Sequence, residues 1–374
     1  MRAAILRKGD IVFDEVPEPV PGPGQLLVQP IAAGICGSDL SAWQHTDDFL
    51  KAHVEADVPG ELFDPDSDLV MGHEFTARVL ELGDGVVDYA IGDRLVVLPW
   101  VVEDDGTAHT VGYTGNHPGA LSDRVVIQAG GHLVIPDGVD AVTAAVTEPM
   151  ATGVNAVLRS DIASAANALV IGCGPVGLGA IVELAERGVG TIIASDPSAK
   201  RREIARQYGA HIVVDPFADD PVARLASAGN IDLPTYVFEA SGVRGMLGSL
   251  MESTPKFTRI MVVGSSMVPE TVRPVVGILK NVSIEFVGGP GRGELTYAAF
   301  SRTFELIVNG RFDPAVMVTG YASIDAVADV FHALRPSSGT VEHVKVLVRP
   351  DLPTGTGLVD ATDSALSVID KDRP

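Results

Sequence analysis

Cysteine is almost absent from this chain, with Cys36 and Cys173 the only two in 374 residues. That scarcity excludes a disulfide framework and fits a reducing compartment, so the expected location is the cytoplasm. Basic residues are also few, 27 Lys and Arg against 49 Asp and Glu, for a formal net charge of −22. Such a balance repels phosphate backbones and anionic bilayers, so no nucleic-acid or membrane partner is expected. Long apolar runs are missing too. The nearest is the uncharged stretch 165–182, broken by Gly172, Gly174, Pro175, Gly177 and Gly179, and breakers at that density suit strand, turn and helix, not a membrane span. The opening MRAAILRKGDIVFDE meets charge after four apolar residues, too few for the core of a secretory signal. No internal repeat is visible. What remains is 46% hydrophobic and 20% charged, which is material for roughly two globular domains at about 150 residues each.

The first 135 residues read as short strands with turn punctuation. DIVFDEVPEPVPGPGQLLVQPIAAGIC is broken by Pro17, Pro19, Pro21, Gly22, Pro23 and Gly24, and TARVLELGDGV and GDRLVVLPW follow. This pattern predicts a compact antiparallel barrel. From about residue 140 the texture changes. AVTAAVTEPMATGVNAVLR is Ala-rich and helix-prone. NALVIGCGPVGLGAIVELAERG and TIIASDPSAKRREIARQYGA each predict strand, turn and helix, and HIVVDP, TYVFEASG, RIMVVGSS and VSIEFVGG supply more apolar strands. Strands alternating with helices predict a doubly wound parallel sheet. ELTYAAFSRTFELIVNGRF and SIDAVADVFHAL read as helices, EHVKVLVRP as a closing strand, and the polar segment after Pro350 as a poorly ordered tail.

In VIGCGPVG, residues 170–177, Gly172, Gly174 and Gly177 have G-x-G-x-x-G spacing. The first glycine permits the tight turn, the second lets backbone approach a pyrophosphate, and the third lets the helix pack close on the strand. Alone the motif is weak. Here it follows a strand, opens a helix, and has Asp196 at the end of the next strand, 19 residues beyond Gly177, where a carboxylate bonds ribose hydroxyls. Gly172, Gly174, Pro175, Val176, Gly177 and Asp196 are therefore the expected cofactor-binding residues. The charge of Asp196 would repel a 2′-phosphate, so NAD is expected over NADP. Lys200, Arg201 and Arg202 could soften that preference but read as a solvated helix face, and Cys173 reads as a small apolar filler.

Cys36, His73 and Glu148 are separated by 37 and 75 residues, so spacing does not establish a metal site. Their types are those that bind zinc, but taken singly Cys36 reads equally as a buried thiol and His73 as a hydrogen-bonded core histidine. Their neighbours decide. GICGSDL (34–40), GHEF (72–75), TEPMATGVNAV (147–157) and VIGCGPVG, in that order over about residues 1–350, closely resemble the zinc-dependent alcohol and polyol dehydrogenases of the medium-chain dehydrogenase/reductase family. The resemblance implies a GroES-like β-barrel catalytic domain over 1–157 and a Rossmann domain over 158–292. A return segment, 293–350, would complete the barrel, with 351–374 as the tail and the active site in the cleft between domains. It implies Cys36, His73 and Glu148 as ligands of one catalytic zinc per chain. Glu74 would be the adjacent acid that ligates the metal or exchanges with its water. Asp39 would orient the ligand histidine, and Ser38 would take the substrate proton. The implied reaction is hydride transfer between a secondary or polyol-type alcohol and NAD, in a homodimer or homotetramer joined near NVSIEFVGG.

Three departures stand out. The stretch PWVVEDDGTAHTVGYTGNHPGALSDRVV lies where many relatives carry four cysteines on a structural zinc, and it has none, so no second zinc of that kind is expected. Relatives commonly have a relay histidine five positions after the ligand cysteine, where this chain has Ser41, leaving water or His45 for proton release. Residues 44–68 form an acidic insertion, Asp47, Asp48, Glu55, Asp57, Glu61, Asp64, Asp66 and Asp68 against Lys51. It reads first as a solvated loop, alternatively as a lid with Trp43 and Phe49 as apolar contacts, and in either case it disfavours anionic substrates. Two other functions share the fold: a zinc-free reductase of activated double bonds, and a non-catalytic nucleotide-sensing protein.

Overall fold

The computed structural model of the chain describes residues 1–58, 62–103, 105–288, 294–335 and 343–362. The chain divides into two compact units, Met1–Glu148 with Pro314–Arg335 and Lys345–Pro374, and Pro149–Asp313 with Pro336–Val344. Among the described residues no helix is long and apolar enough to cross a membrane.

The first unit is the expected barrel. Its main sheet runs, in spatial order, Leu133–Val134, Arg94–Val96, Glu74–Leu82, Gln25–Gly34, Lys345–Val348, Val318–Ala322 and Val359–Asp360, with Val125–Gln128 also pairing on Gln25–Gly34. Pairing is antiparallel except between Val318–Ala322 and Lys345–Val348. Strand Gln25–Gly34 is central because its apolar residues point to both faces and nearly all are buried. Its last residue, Gly34, pairs with Glu74 on one side and Leu347 on the other, so three distant segments converge there.

The second unit holds six parallel strands in the order Ile212–Val214, Thr191–Ser195, Asn167–Ile171, Thr235–Glu239, Arg259–Val262, Ser283–Phe286. That is the 3-2-1-4-5-6 order of a dinucleotide-binding sheet. Every residue of Asn167–Ile171 is buried, as expected for a strand covered on both faces.

The structure corrects the sequence reading of the fold in four places. The unit boundary falls at Glu148 and not at 157, because helix Thr147–Ser160 starts beside the barrel while Gly153 packs on the Val176 carbonyl. Helix Glu294–Val308 belongs to the second unit, not to a return segment beginning at 293, and Arg302 on it pairs with buried Glu183. In addition, the chain after Pro350 is tied in as far as residue 362, since Val359–Asp360 pairs with Val318–Ala322; residues 363–374 lie outside the described residues. Within the acidic insertion 44–68, Thr46–Glu55 is a helix where a loop was expected, while residues 62–68 are irregular. Phe49 is its buried anchor at 2% exposure, while Asp47, Asp48, Glu55 and Asp57 face solvent; Glu61 lies outside the described residues.

Candidate active site

Cys36 precedes helix Gly37–Gln44, and its backbone N–H donates to Asp39 Oδ2 at 2.9 Å. This bond explains the G-I-C-G-S-D-L arrangement: a carboxylate one turn into the helix satisfies an orphan amide at its start. It leaves the second oxygen of fully buried Asp39 aimed at His73, whose Nδ1 is 3.4 Å from Oδ1. The pair makes no regular hydrogen bond, and neither atom has another partner.

His73 is placed by Gly72, whose φ of +103° suits only glycine and where a Cβ would run into the backbone of Leu121 and Ala120. Glu74 then begins strand Glu74–Leu82 opposite Gly34. Any side chain at Gly34 would collide with the Glu74 carboxylate, so the glycine makes room for a buried charge. Lys345 neutralises that charge, donating to Glu74 Oε2 at 2.5 Å and to the Ile35 carbonyl at 2.9 Å. Burial pushes Lys345 down, but Glu74 and Cys36 outweigh it and hold its pKa above the ordinary value.

One donor atom from each of Cys36, His73 and Glu74 lies within 4.8 Å of the others. Sulfur, imidazole nitrogen and carboxylate oxygen converging in a buried site are a zinc-type donor set with room for further ligands. Burial pushes His73 down, yet Asp39 and Cys36 lift it well above the usual imidazole range. Burial, with Glu74, pushes the Cys36 thiol up. A divalent cation resolves all of these strains together, so the residues fit the metal. Glu148 is outside this trio. It is buried at the start of helix Thr147–Ser160, and burial pushes its carboxyl up to about 7, with His73 and Lys345 opposing and Glu74 and Asp39 adding. The trio's charges therefore reach it.

Ser38 Oγ donates to Cys36 Sγ at 3.0 Å and accepts from Tyr113 Oη at 2.6 Å. The Tyr113 ring lies 5.0 Å from His73 and 5.5 Å from Phe49, centroid to centroid. Burial, with Asp39 and Cys36, holds its phenol well above the ordinary range, so it stays a donor. Ser41 is spent on the Gly37 carbonyl and His45 is exposed. Tyr113 and Lys345 were not anticipated from sequence. Lys345 carries a signal, a single charge inside the apolar strand K-V-L-V that is buried throughout; Tyr113, in a glycine-rich turn, carries none.

In the second unit, Gly172 takes φ +91°, and a Cβ on Gly177 would strike the Gly172 carbonyl, so strand and helix touch as the motif requires. Helix Pro175–Glu186 opens with Pro175 in its first turn. A cavity of about 780 Å³ is lined by residues including Gly172, Gly174, Asp196, Arg201, Phe217 and Val243. Asp196 is 3% exposed, and its oxygens accept from the Cys173 and Ser198 amides at 2.8 Å each. Cys173 is a fully buried filler whose thiol is pushed far up by burial. Arg201 and Arg202 do not form the expected solvated face. Arg201 bonds the His343 carbonyl and sits 3.9 Å from Asp196, and Arg202 bonds the Asp196 and Pro197 carbonyls and pairs with Asp215.

Comparison with known proteins agrees with this geometry. Residues 22–137 match the alcohol dehydrogenase GroES-like domain, and residues 175–305 match the zinc-binding dehydrogenase domain. The chain is 30% identical over 354 residues to (R,R)-butanediol dehydrogenase of Bacillus subtilis, covering 91% of this chain and 97% of that one. It is 24% identical over 367 residues to sorbitol dehydrogenase of Gallus gallus, covering 94% and 96%. A solved structure from Sinorhizobium meliloti, described as a zinc-binding dehydrogenase bound to NADP, superposes with a TM-score of 0.76 at 25% identity, covering 93% of this chain and 99% of that one. With a zinc-type donor set in a GroES-like barrel and a glycine turn on a six-stranded parallel sheet, the chain belongs to the zinc-dependent alcohol and polyol dehydrogenases of the medium-chain dehydrogenase/reductase family.

Proposed function

We propose that the protein oxidises a secondary or polyol-type alcohol to the ketone or aldehyde, and reduces it in reverse, with NAD as hydride carrier. The observation that carries this reading is the buried convergence of Cys36, His73 and Glu74 beside Ser38. Cys36 and His73 would hold zinc, with Glu74 and Glu148 supplying carboxylate oxygen. Zinc held there supplies Lewis acidity, which lowers the pKa of a bound hydroxyl as it does that of water, to about 7 in favourable sites. Asp39 orients His73 through Nδ1. Ser38 would take the alcohol proton as its own hydroxyl proton passes on to water, and NAD would supply the hydride acceptor.

NAD is favoured over NADP because Asp196 lines the cofactor cavity as a carboxylate, while Arg201 and Arg202 are committed to backbone carbonyls and acids. Similarity to butanediol and sorbitol dehydrogenases supports small vicinal diols or polyols as substrates. We further propose assembly into a homodimer or homotetramer through edge strand Ser283–Phe286 and the helix before it, Pro274–Lys280, where Phe286 on the strand and Ile278 and Leu279 on the helix are each about 70% exposed. The unpaired thiols Cys36 and Cys173 support a reducing, cytoplasmic setting.

The test is metal analysis alongside NAD reduction with (R,R)-butanediol, sorbitol and simple secondary alcohols. Wild type should hold one zinc per chain, and Cys36→Ser should lose both metal and turnover. Turnover retained by metal-free Cys36→Ser would sink the zinc reading and favour a zinc-free double-bond reductase.

A further inference from the structure

Ser38 occupies an unusual hydrogen-bonding position for the group that must meet a substrate hydroxyl. Its side chain has three staggered rotamers, and only one presents the oxygen beside Cys36. A partner must fix that rotamer. Ser41, one turn further along the same helix, is bonded to the Gly37 carbonyl, and His45 lies at the helix end facing solvent. Neither is bonded to Ser38.

Tyr113 does reach it. Its Oη is 2.6 Å from Ser38 Oγ, close to the shortest usual hydroxyl–hydroxyl distance. The ring that carries this hydroxyl is fixed from several directions. Phe49, the buried residue of helix Thr46–Glu55, packs at 5.5 Å; His73 packs at 5.0 Å; and the Phe63 amide donates to the Tyr113 carbonyl at 3.0 Å. The turn before it is seated by Gly112, where a Cβ would crowd the Gly72 backbone. The two ends of the acidic insertion, Phe49 and Phe63, thus converge on one tyrosine, and that tyrosine converges on one serine.

We propose that Tyr113 is the positioning residue for the proton-accepting hydroxyl of Ser38, with Phe49 and Phe63 of the acidic insertion holding Tyr113 in place. The inference rests on the reading that Ser38 takes the alcohol proton. By donating to Ser38 Oγ, Tyr113 locks the serine rotamer and leaves one lone pair of Oγ to accept a hydrogen bond from the substrate hydroxyl, whose proton Ser38 takes only as it gives up its own. Tyr113 acts through Ser38 and does not itself touch the reacting carbon.

The experiment is a double-mutant cycle on zinc-loaded, full-length protein with Tyr113→Phe, Ser38→Ala and the double variant, using (R,R)-butanediol and NAD. Tyr113→Phe keeps the ring and removes only the hydroxyl. It should retain one zinc and an unchanged cobalt-substituted spectrum, keep its KM for NAD within about twofold, and lose about 10-fold or more in kcat. Binding of the inert alcohol trifluoroethanol to the NAD complex, measured by calorimetry, should weaken in parallel, a readout independent of turnover. The double variant should match Ser38→Ala, because the two hydroxyls work as a unit. Additive losses, a Tyr113→Phe enzyme equal to wild type, or loss of zinc from Tyr113→Phe would each overturn the inference. Full activity in Ser38→Ala would instead overturn the role of Ser38 itself, so the two failures are distinguishable.

Discussion

A buried carboxylate needs a partner, and at residue scale both sites are organised around that need. Glu74 is 1% exposed and finds Lys345. Removing one member of such a pair costs about 3–5 kcal/mol, because the other is left buried and uncompensated. Asp39 spends one oxygen on the Cys36 amide and turns the other to His73. Asp196 spends its oxygens on two amides, which fix the carboxylate at the cavity, and its one cation among the described residues, Arg201, stands off at 3.9 Å. A phosphate placed against this charge is repelled, so wild type should show higher kcat/KM with NAD than with NADP. Asp196→Ser should narrow the ratio by about 10-fold or more, since a close like-charge contact is worth more than about 1.4 kcal/mol in a partly buried site. A wild-type preference for NADP would show that the carboxylate does not face the ribose.

At element scale, the question is what holds the described residues of the stretch 100–121, which has no cysteine. Its base is stitched to the following strand and turn. Trp100 Nε1 donates to the Gly130 carbonyl at 3.2 Å, the Val102 amide to Gln128 Oε1 at 3.3 Å, and the Leu98 amide to His132 Nδ1 at 3.1 Å. His132 Nε2 faces the Gln128 carbonyl at 2.7 Å. An imidazole that accepts at Nδ1 and donates at Nε2 must be neutral. Burial accordingly pushes its pKa down from 6.5 to about 4, with the Gln128 carbonyl opposing. In the unfolded chain the same histidine takes up a proton near pH 6.5, while the folded chain resists until about pH 4. The unfolded state therefore binds more protons in that window. The contribution of His132 is complete above pH 6.5 and is lost as pH falls toward 4, about 2 kcal/mol of it by pH 5. His132→Gln should lower the thermal midpoint at pH 7 and approach wild type at pH 5. An equal gap at both pH values would disprove the neutral tautomer.

At the scale of the whole molecule, a net charge of −22 disfavours indiscriminate association, so an apolar edge among acidic surfaces is selective by default. Strand Ser283–Phe286 has no neighbour on its outer side among the described residues. Light scattering should give a mass two or four times 39.1 kDa. Phe286→Asp, placing a charge where Phe286 stands 70% exposed, should shift the population toward the single chain while leaving zinc content at one per chain. A wild type that is monomeric at micromolar concentration would remove this edge as an interface.

The nucleotide-binding unit was almost wholly legible in the sequence, because its signals are local. Gly172, Gly174 and Gly177 work within one turn, apolar runs read directly as buried parallel strands, and Asp196 follows at a fixed distance. For the candidate metal site the residue types were legible, since Cys36 and Asp39 serve one helix start and His73 and Glu74 are adjacent, while Glu148 lies outside the converging trio. Tertiary structure decided what depends on chain closure. Lys345 reaches Glu74 across 271 residues and Tyr113 reaches Ser38 across 75, separations over which no periodicity or spacing rule operates. The same holds for helix Thr46–Glu55: its acids read as a loop because their charge dominates the composition, while the burial of Phe49 depends on Tyr113 and Phe63 being brought to it from elsewhere in the barrel. Local covalent order determines which groups are available, and only the packing of distant segments determines which of them lose water together and must answer one another's charge.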